Sequence, residues 1–102
     1  MSIEFGPDRA LFSISVASEL TGVHPQALRG YEAKGLVTPQ RTEGGTRRYS
    51  GEDVERINRI STMLSDGHNL TGVQHILTLE AEVERLRAEV KRLRRQQRRA
   101  EE

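Results

Sequence analysis

The chain has no cysteine among its 102 residues. That excludes a disulfide scaffold, a thiolate metal site and a thiol redox switch, and it fits a reducing compartment. It has no apolar run of about 18 residues, the length a membrane-spanning helix needs, so no span is expected. The opening MSIEFGPDRA lacks the basic-then-apolar order of a secretory signal and reads as a disordered leader over residues 1–10. Charge of one sign is also missing: the net charge is +1, so only its distribution can point to a polyanionic partner. Catalytic signatures are absent as well. His24, His68 and His75 are scattered, and the step from His68 to His75 is not a usual helical ligand pair. There is no serine–histidine set, no paired-carboxylate site and no glycine-rich phosphate loop, so an enzyme, a cofactor or a metal is not expected. Glu80, Glu82 and Glu84 read as a solvated helix face.

What is present suits one small domain and one extra element. Hydrophobic residues make up 34% and charged residues 30%, a composition for a modest core and a long solvated surface. In SISVASELTGV, Ile14, Ala17, Leu20 and Val23 fall three apart, which predicts a short helix over 15–21. Ser13 or Ser15 caps its start, and Gly22 suits a left-handed stop. In VHPQALRGYEAKGL, Pro25 fits the first position of a second helix, and Ala27, Leu28 and Tyr31 share a face before Gly35 ends it. Two short helices joined through Thr21-Gly22-Val23-His24 make a helix-turn-helix, which serves DNA binding or merely packs a corner.

PQRT and TRRYS then form two short extended segments around Glu43-Gly44-Gly45, the pattern of a hairpin with a glycine-containing loop. Alternation sets Arg47 and Tyr49 on one face and Thr46 and Arg48 on the other. A basic hairpin after a helix-turn-helix is a winged arrangement. Its arginines either meet phosphates, which anchor without reading sequence, or guard a strand edge against pairing. Tyr49 is expected to pack the wing onto the domain.

A third helix begins after Ser50, which has capping-box spacing with Asp53, and carries an apolar stripe at Val54, Ile57, Ile60 and Leu64. Asp66-Gly67 stops it. Asn69 caps a fourth helix through Leu70, Val73, Ile76 and Leu77, whose N-terminus either holds a phosphate or is an ordinary cap. Leu79, Val83, Leu86, Val90 and Leu93 then step by 4, 3, 4 and 3, as alternating d and a positions of a heptad, and Gln97 continues the series. No proline or glycine lies between Val73 and Glu102, so the fourth helix can run on into this one with at most a bend near Thr78. A lone helix with so narrow a stripe buries it most simply by dimerising. Glu82, Glu89 and Gln96 at g facing Arg87 and Arg94 at e favour a parallel pair, but exposed charge pairs are too weak to settle orientation. Six of the eight basic residues beyond position 78 lie between Lys91 and Arg99.

The order of I-S, LTGV, LR-x-YE-x-x-GL, P-x-R, G-x-R-x-YS and x-x-D over residues 12–77 resembles the winged helix-turn-helix of MerR-type transcription regulators. ISVASELTGVHPQ, RT-x-GG-x-RRYS and NL-x-G are most similar to the heat-shock repressor branch. The resemblance implies a mainly α fold: a winged helix-turn-helix domain with a small β-hairpin wing over 11–78, then a long C-terminal coiled-coil dimerisation helix with a basic tail over 79–102. It implies a cytoplasmic, nucleoid-associated repressor in stress or heat-shock control, binding double-stranded DNA at an inverted repeat near a promoter as an antiparallel homodimer, with an Hsp70-type chaperone as co-repressor. It places Ser15, Gln26, Ala27, Arg29, Gly30, Tyr31, Lys34, Arg41, Arg47 and Arg48 at the DNA, with Gln26 able to read adenine and Arg29 able to read guanine or hold a phosphate. Leu79, Val83, Leu86, Val90 and Leu93 would form the dimer seam. This sequence departs from the family at Gly30, where many members carry an aromatic or long polar residue, at the small Ala17 and Ser18, and in its basic ending KRLRRQQRRAEE. The competing reading is a coiled-coil interaction adaptor that grips nucleic acid without sequence preference.

Overall fold

A computed structural model describes residues 9–101, in the order β1 (Ala10–Phe12), α1 (Ile14–Thr21), α2 (Pro25–Ala33), β2 (Gln40–Arg41), β3 (Arg47–Ser50), α3 (Gly51–Ser65) and α4 (Leu70–Glu101). Residues 1–8 of the expected leader lie outside the described residues, whereas Ala10 already belongs to a strand. The described chain divides after Gly67 into two compact units.

In the first unit each helix starts and stops where local chemistry directs. Ser13 caps α1, its side chain accepting from the Val16 N–H, and Gly22 closes the helix at φ 72°. His24 caps α2 through Nδ1, which accepts the Gln26 N–H at 3.0 Å, and Pro25 follows at the first helical position. At the other end of α2, Leu36 N–H donates to Tyr31 O and Gly35 N–H to Glu32 O, both at 2.9 Å. This is the Schellman arrangement, and it needs a left-handed residue at Gly35, where φ is 73°. Ser50 and Asp53 exchange reciprocal bonds of 2.9 Å, completing the expected capping box of α3.

The three strands form one antiparallel sheet in the order β1-β3-β2. β2 and β3 are the expected hairpin, with Gln40 opposite Arg48 and Arg41 opposite Arg47. Gly45, at φ 84°, supplies the left-handed residue of a three-residue loop, and Thr42 N–H donates to Thr46 O at 2.9 Å across its base. β1 is an addition to the sequence reading: it pairs Phe12 with Tyr49 through an irregular register, and three residues are too few to announce a strand by alternation.

The core of this unit contains Ala17, Val23, Leu28, Tyr31, Leu36, Val37, Tyr49, Ile57, Ile60 and Met63. Two expectations about helical faces are corrected. Leu20 is 54% exposed, so α1 buries Ala17 without it. On α3 the deep stripe is Ile57, Ile60 and Met63, while Val54 and Leu64 are half-buried at its ends. A helical turn of 3.6 residues brings 57, 60 and 63–64 round to one face, and Met63 takes the inner position.

The second unit is essentially α4, one unbroken helix of 32 residues. Asn69 starts it as expected, its Oδ1 accepting the Gly72 N–H at 2.8 Å. Val73 and Leu77 are buried, and every residue over 81–101 is exposed. The helix runs through Thr78 without a break, in keeping with the absence of proline and glycine there. Among the described residues no helix is long and apolar enough to cross a membrane.

Candidate nucleic-acid interface

The candidate interface is built on α2. Leu28 and Tyr31 turn into the core, which leaves Gln26, Arg29 and Gly30 on the opposite side, at i, i+3 and i+4. Gln26 and Arg29 are exposed, and neither side chain has a hydrogen-bond or ion-pair partner among the described residues. Gly30 is half-buried, but a Cβ added there meets nothing within 4 Å, so the helix backbone is open to a close approach. A long amide and a guanidinium next to a bare backbone position can donate and accept at the edges of base pairs in a major groove.

The other expected contact residues divide. Ser15 is exposed on α1, the first helix of the pair, and Lys34 is exposed at the C-cap of α2. Ala27 is half-buried. Tyr31 is mostly buried: the residue is 6% exposed, and burial raises the phenol pKa above its ordinary value. Its place at i+3 from Leu28 puts its ring on the core face.

The wing arginines do not all project freely either. Arg41 and Arg47 stand directly opposite each other on β2 and β3. Two like charges in that relation repel. Glu32 of α2 resolves the conflict. Its Oε2 accepts from Arg41 Nη2 at 2.8 Å, and its Oε1 accepts from Arg47 Nε at 2.6 Å. Arg41 also donates through Nη1 to Gly45 O at 2.9 Å, tying the same guanidinium to the hairpin loop. Burial pushes the Glu32 carboxyl up, but the hydrogen bonds and charges of Arg47 and Arg41 outweigh it and hold the pKa below the ordinary 4.5. Arg48, on the other face of β3, makes only a 3.4 Å contact to the carbonyl of Arg47 among the described residues. Alternation is as expected: Tyr49 is wholly buried, and Arg47 on the same face turns toward α2.

Glu32 is the residue that sequence reasoning missed. Its partners lie 9 and 15 residues away, beyond any local spacing rule. His24 is a helix cap, accepting the Gln26 N–H at the start of α2. The detectable signal was its place one residue before Pro25 at a helix start.

On α4, Leu79, Val83, Leu86, Val90 and Leu93 are 44–64% exposed along one stripe. Beside them Glu82, Arg85, Glu89 and Arg92 form a chain of ion pairs at 2.5–3.4 Å, and Arg87 lies 3.9 Å from Glu84. Lys91, Arg94, Arg95, Arg98 and Arg99 carry no ion pair among the described residues.

Comparison with known proteins agrees with this geometry. The sequence model of the MerR HTH family of regulatory proteins matches residues 12–80. HspR of Streptomyces coelicolor, named as a heat shock protein, is 44% identical over 81 residues, covering 78% of this chain and 54% of HspR. The HTH-type transcriptional regulator TnrA of Bacillus subtilis is 45% identical over 60 residues, covering 59% of this chain and 54% of TnrA. The chain thus spans about half the length of the curated relatives it matches. Among solved structures, a MerR family regulator from Listeria monocytogenes aligns with a TM-score of 0.65 at 31% identity, over 82% of this chain and 67% of that one. HiNmlR, a MerR family regulator lacking the sensor domain and solved bound to promoter DNA, aligns with a TM-score of 0.59 over 82% of this chain and 76% of that one. At 19% identity that likeness is one of fold.

Proposed function

Since the chain belongs to the MerR family of helix-turn-helix regulatory proteins, we propose that it is a sequence-specific DNA-binding transcription regulator, a repressor that holds an inverted-repeat operator near a promoter as a homodimer. The observation that carries this reading is the pair Gln26 and Arg29, exposed three residues apart on α2 with no side-chain partner among the described residues. α2 enters the major groove and reads bases, while Ser15, Lys34 and the wing arginines Arg41, Arg47 and Arg48 hold phosphates beside it. Repression then needs no chemistry: a dimer seated on a promoter occludes or distorts it. The likeness to HspR, named as a heat shock protein, extends the proposal to stress or heat-shock control, and the resemblance to the heat-shock repressor branch adds an Hsp70-type chaperone as co-repressor, in the cytoplasm at the nucleoid.

The dimer forms through the exposed stripe of α4, and the resemblance to the MerR family favours an antiparallel pair over the parallel one that the g and e charges favour only weakly. Setting Leu86 of one copy against Val90 of the other also sets Val83 against Leu93 and Leu79 against Gln97, so every layer joins an a to a d position. Glu80 of each copy then meets Arg94 of the other. Two attractive pairs offset the like pairs of Arg87 with Arg87 and Glu89 with Glu89 at the centre. Charge segregation along the helix adds to this, since the cation-rich 91–99 stretch of one copy lies along the acidic 80–84 stretch of the other.

The test is selection of bound duplexes from a fragmented-genome pool at about 150 mM salt, where surface charges are already screened, followed by sequencing. Enrichment of an inverted repeat with half-sites about one or two helical turns apart is the expected result. Binding without enrichment would leave arginines that only grip phosphates. The adaptor reading, which the cations at the end of α4 favour because they have no ion pair among the described residues, would then take its place.

A further inference from the structure

Glu32 places a negative charge beside the surface proposed to meet phosphates, where charge alone argues against it. Its side chain is 20% exposed, and it meets one arginine from each strand of the wing. Ion pairs this close to solvent contribute little to stability, so stability gives no strong reason for the arrangement. What the two bonds do is geometric. β2 and β3 together are six residues long, too short to hold a hairpin in a fixed position unaided. Two charge-assisted bonds from two opposite strands to a single carboxylate on α2 fix the wing's position and rotation against the recognition helix. The bond from Arg41 Nη1 to Gly45 O carries that constraint into the loop.

Guanidinium chemistry leaves the clamp compatible with DNA contact. Each guanidinium has five N–H donors. Arg47 uses only Nε–H toward Glu32, which leaves all four of its terminal N–H groups. Arg41 uses one N–H on each terminal nitrogen and retains the others. The arginine side chains are 44% and 26% exposed, so these remaining donors have access to solvent.

We infer that Glu32 is a positioning residue for DNA recognition: it clamps Arg41 and Arg47 so that their remaining N–H groups meet phosphates in register with the base contacts of Gln26 and Arg29. The inference rests on the DNA-binding reading above. Glu32 discriminates between sites without touching a base. On a cognate duplex the held arginines match the phosphates on either side of the half-site. On an unrelated duplex the same rigidity gives no gain, and the carboxylate repels the backbone.

Two substitutions separate charge from position. Glu32→Gln removes the charge at nearly constant shape, and Glu32→Asp keeps the charge but shortens the reach by one methylene. Affinities for the best-enriched duplex from the genomic selection and for a scrambled duplex of the same composition are measured against salt, alongside circular dichroism and thermal melting. Both variants should melt as folded proteins and lose roughly three- to tenfold in the ratio of cognate to scrambled affinity. In Glu32→Gln the slope of log K against log salt on scrambled DNA should steepen by about one, as one more net positive charge becomes available to phosphates. In Glu32→Asp that slope should stay at the wild-type value. A ratio unchanged in Glu32→Asp would overturn the inference, because position would then not matter. Parallel losses on both duplexes with an unchanged slope and a lower melting temperature would also overturn it, leaving a purely structural ion pair. Wild-type protein that does not distinguish the two duplexes would overturn the DNA-recognition reading itself.

Discussion

Tyr49 offers a test of the packing with a sign that is easy to get wrong. Its side chain is wholly buried, and its hydroxyl has no hydrogen-bond partner among the described residues. Burial raises its pKa, with smaller contributions from the neighbouring charges of Arg47 and Glu32. A buried hydroxyl without a partner costs about 1–3 kcal/mol of desolvation. Tyr49→Phe removes that group and leaves the ring that packs β3 onto the helices. The variant should therefore be more stable by about 1–2 kcal/mol, a rise of roughly 4–8 °C in melting temperature per kcal/mol for a domain of this size. Tyr49→Ala removes the ring as well and should lose about 3–5 kcal/mol, as large-to-small aromatic substitutions in cores do. Urea melts followed by far-ultraviolet circular dichroism measure both, at one fixed protein concentration because the proposed dimerisation would make stability concentration-dependent. A Phe variant less stable than the wild type would refute the argument. It would mean that the hydroxyl is satisfied, by a water or a rearranged neighbour, and that the core here is polar by design.

Four further outcomes follow from the same structure. Arg29→Ala should cost about 1–3 kcal/mol of specific DNA binding with no loss of stability, and unchanged affinity for the selected duplex in a gel-shift titration would remove α2 from the role of reader. His24→Ala should destabilise by about 1 kcal/mol in denaturant melts through loss of the α2 cap, while His24→Asn, whose oxygen caps equally well, should retain the stability. Leu86→Glu places a charge in the centre of the proposed seam, and sedimentation should show a monomer; a dimer of wild-type strength would put the interface elsewhere. Acid should release the Glu32 clamp. Because the folded pKa of Glu32 is lowered, its contribution is present above the ordinary value of 4.5 and is lost as pH falls through the folded value. Wild type should thus lose stability on acidification below 4.5 more steeply than Glu32→Gln, and coincident pH profiles in denaturant melts would contradict the clamp.

Much of this molecule was legible as local chemistry. A cap or a Schellman stop is decided within a few residues, so Gly22, Gly35, Asn69 and the Ser50–Asp53 box could be read directly and stand as read. The heptad stripe of α4 needs only period and the absence of breakers. The same locality explains where the reading stopped. Three residues cannot declare a strand, so β1 was missed. Leu20 fits the apolar spacing of α1 yet is exposed, because spacing marks a face and only packing marks how much of it is covered.

The sequence by itself therefore determined the order of helices and hairpin, their ends, and the apolar stripe of α4. All of these depend on interactions between near neighbours along the chain. Tertiary structure decided which tyrosines are core and which arginines are spoken for. Tyr31 is buried although it shares a helix with the exposed Gln26 and Arg29. Arg41 and Arg47 answer to Glu32, a carboxylate that sequence spacing had left without a role. The physical reason is that an ion pair is set by distance in space. Its partners here, 9 and 15 residues away, become neighbours only once the hairpin has folded back onto α2.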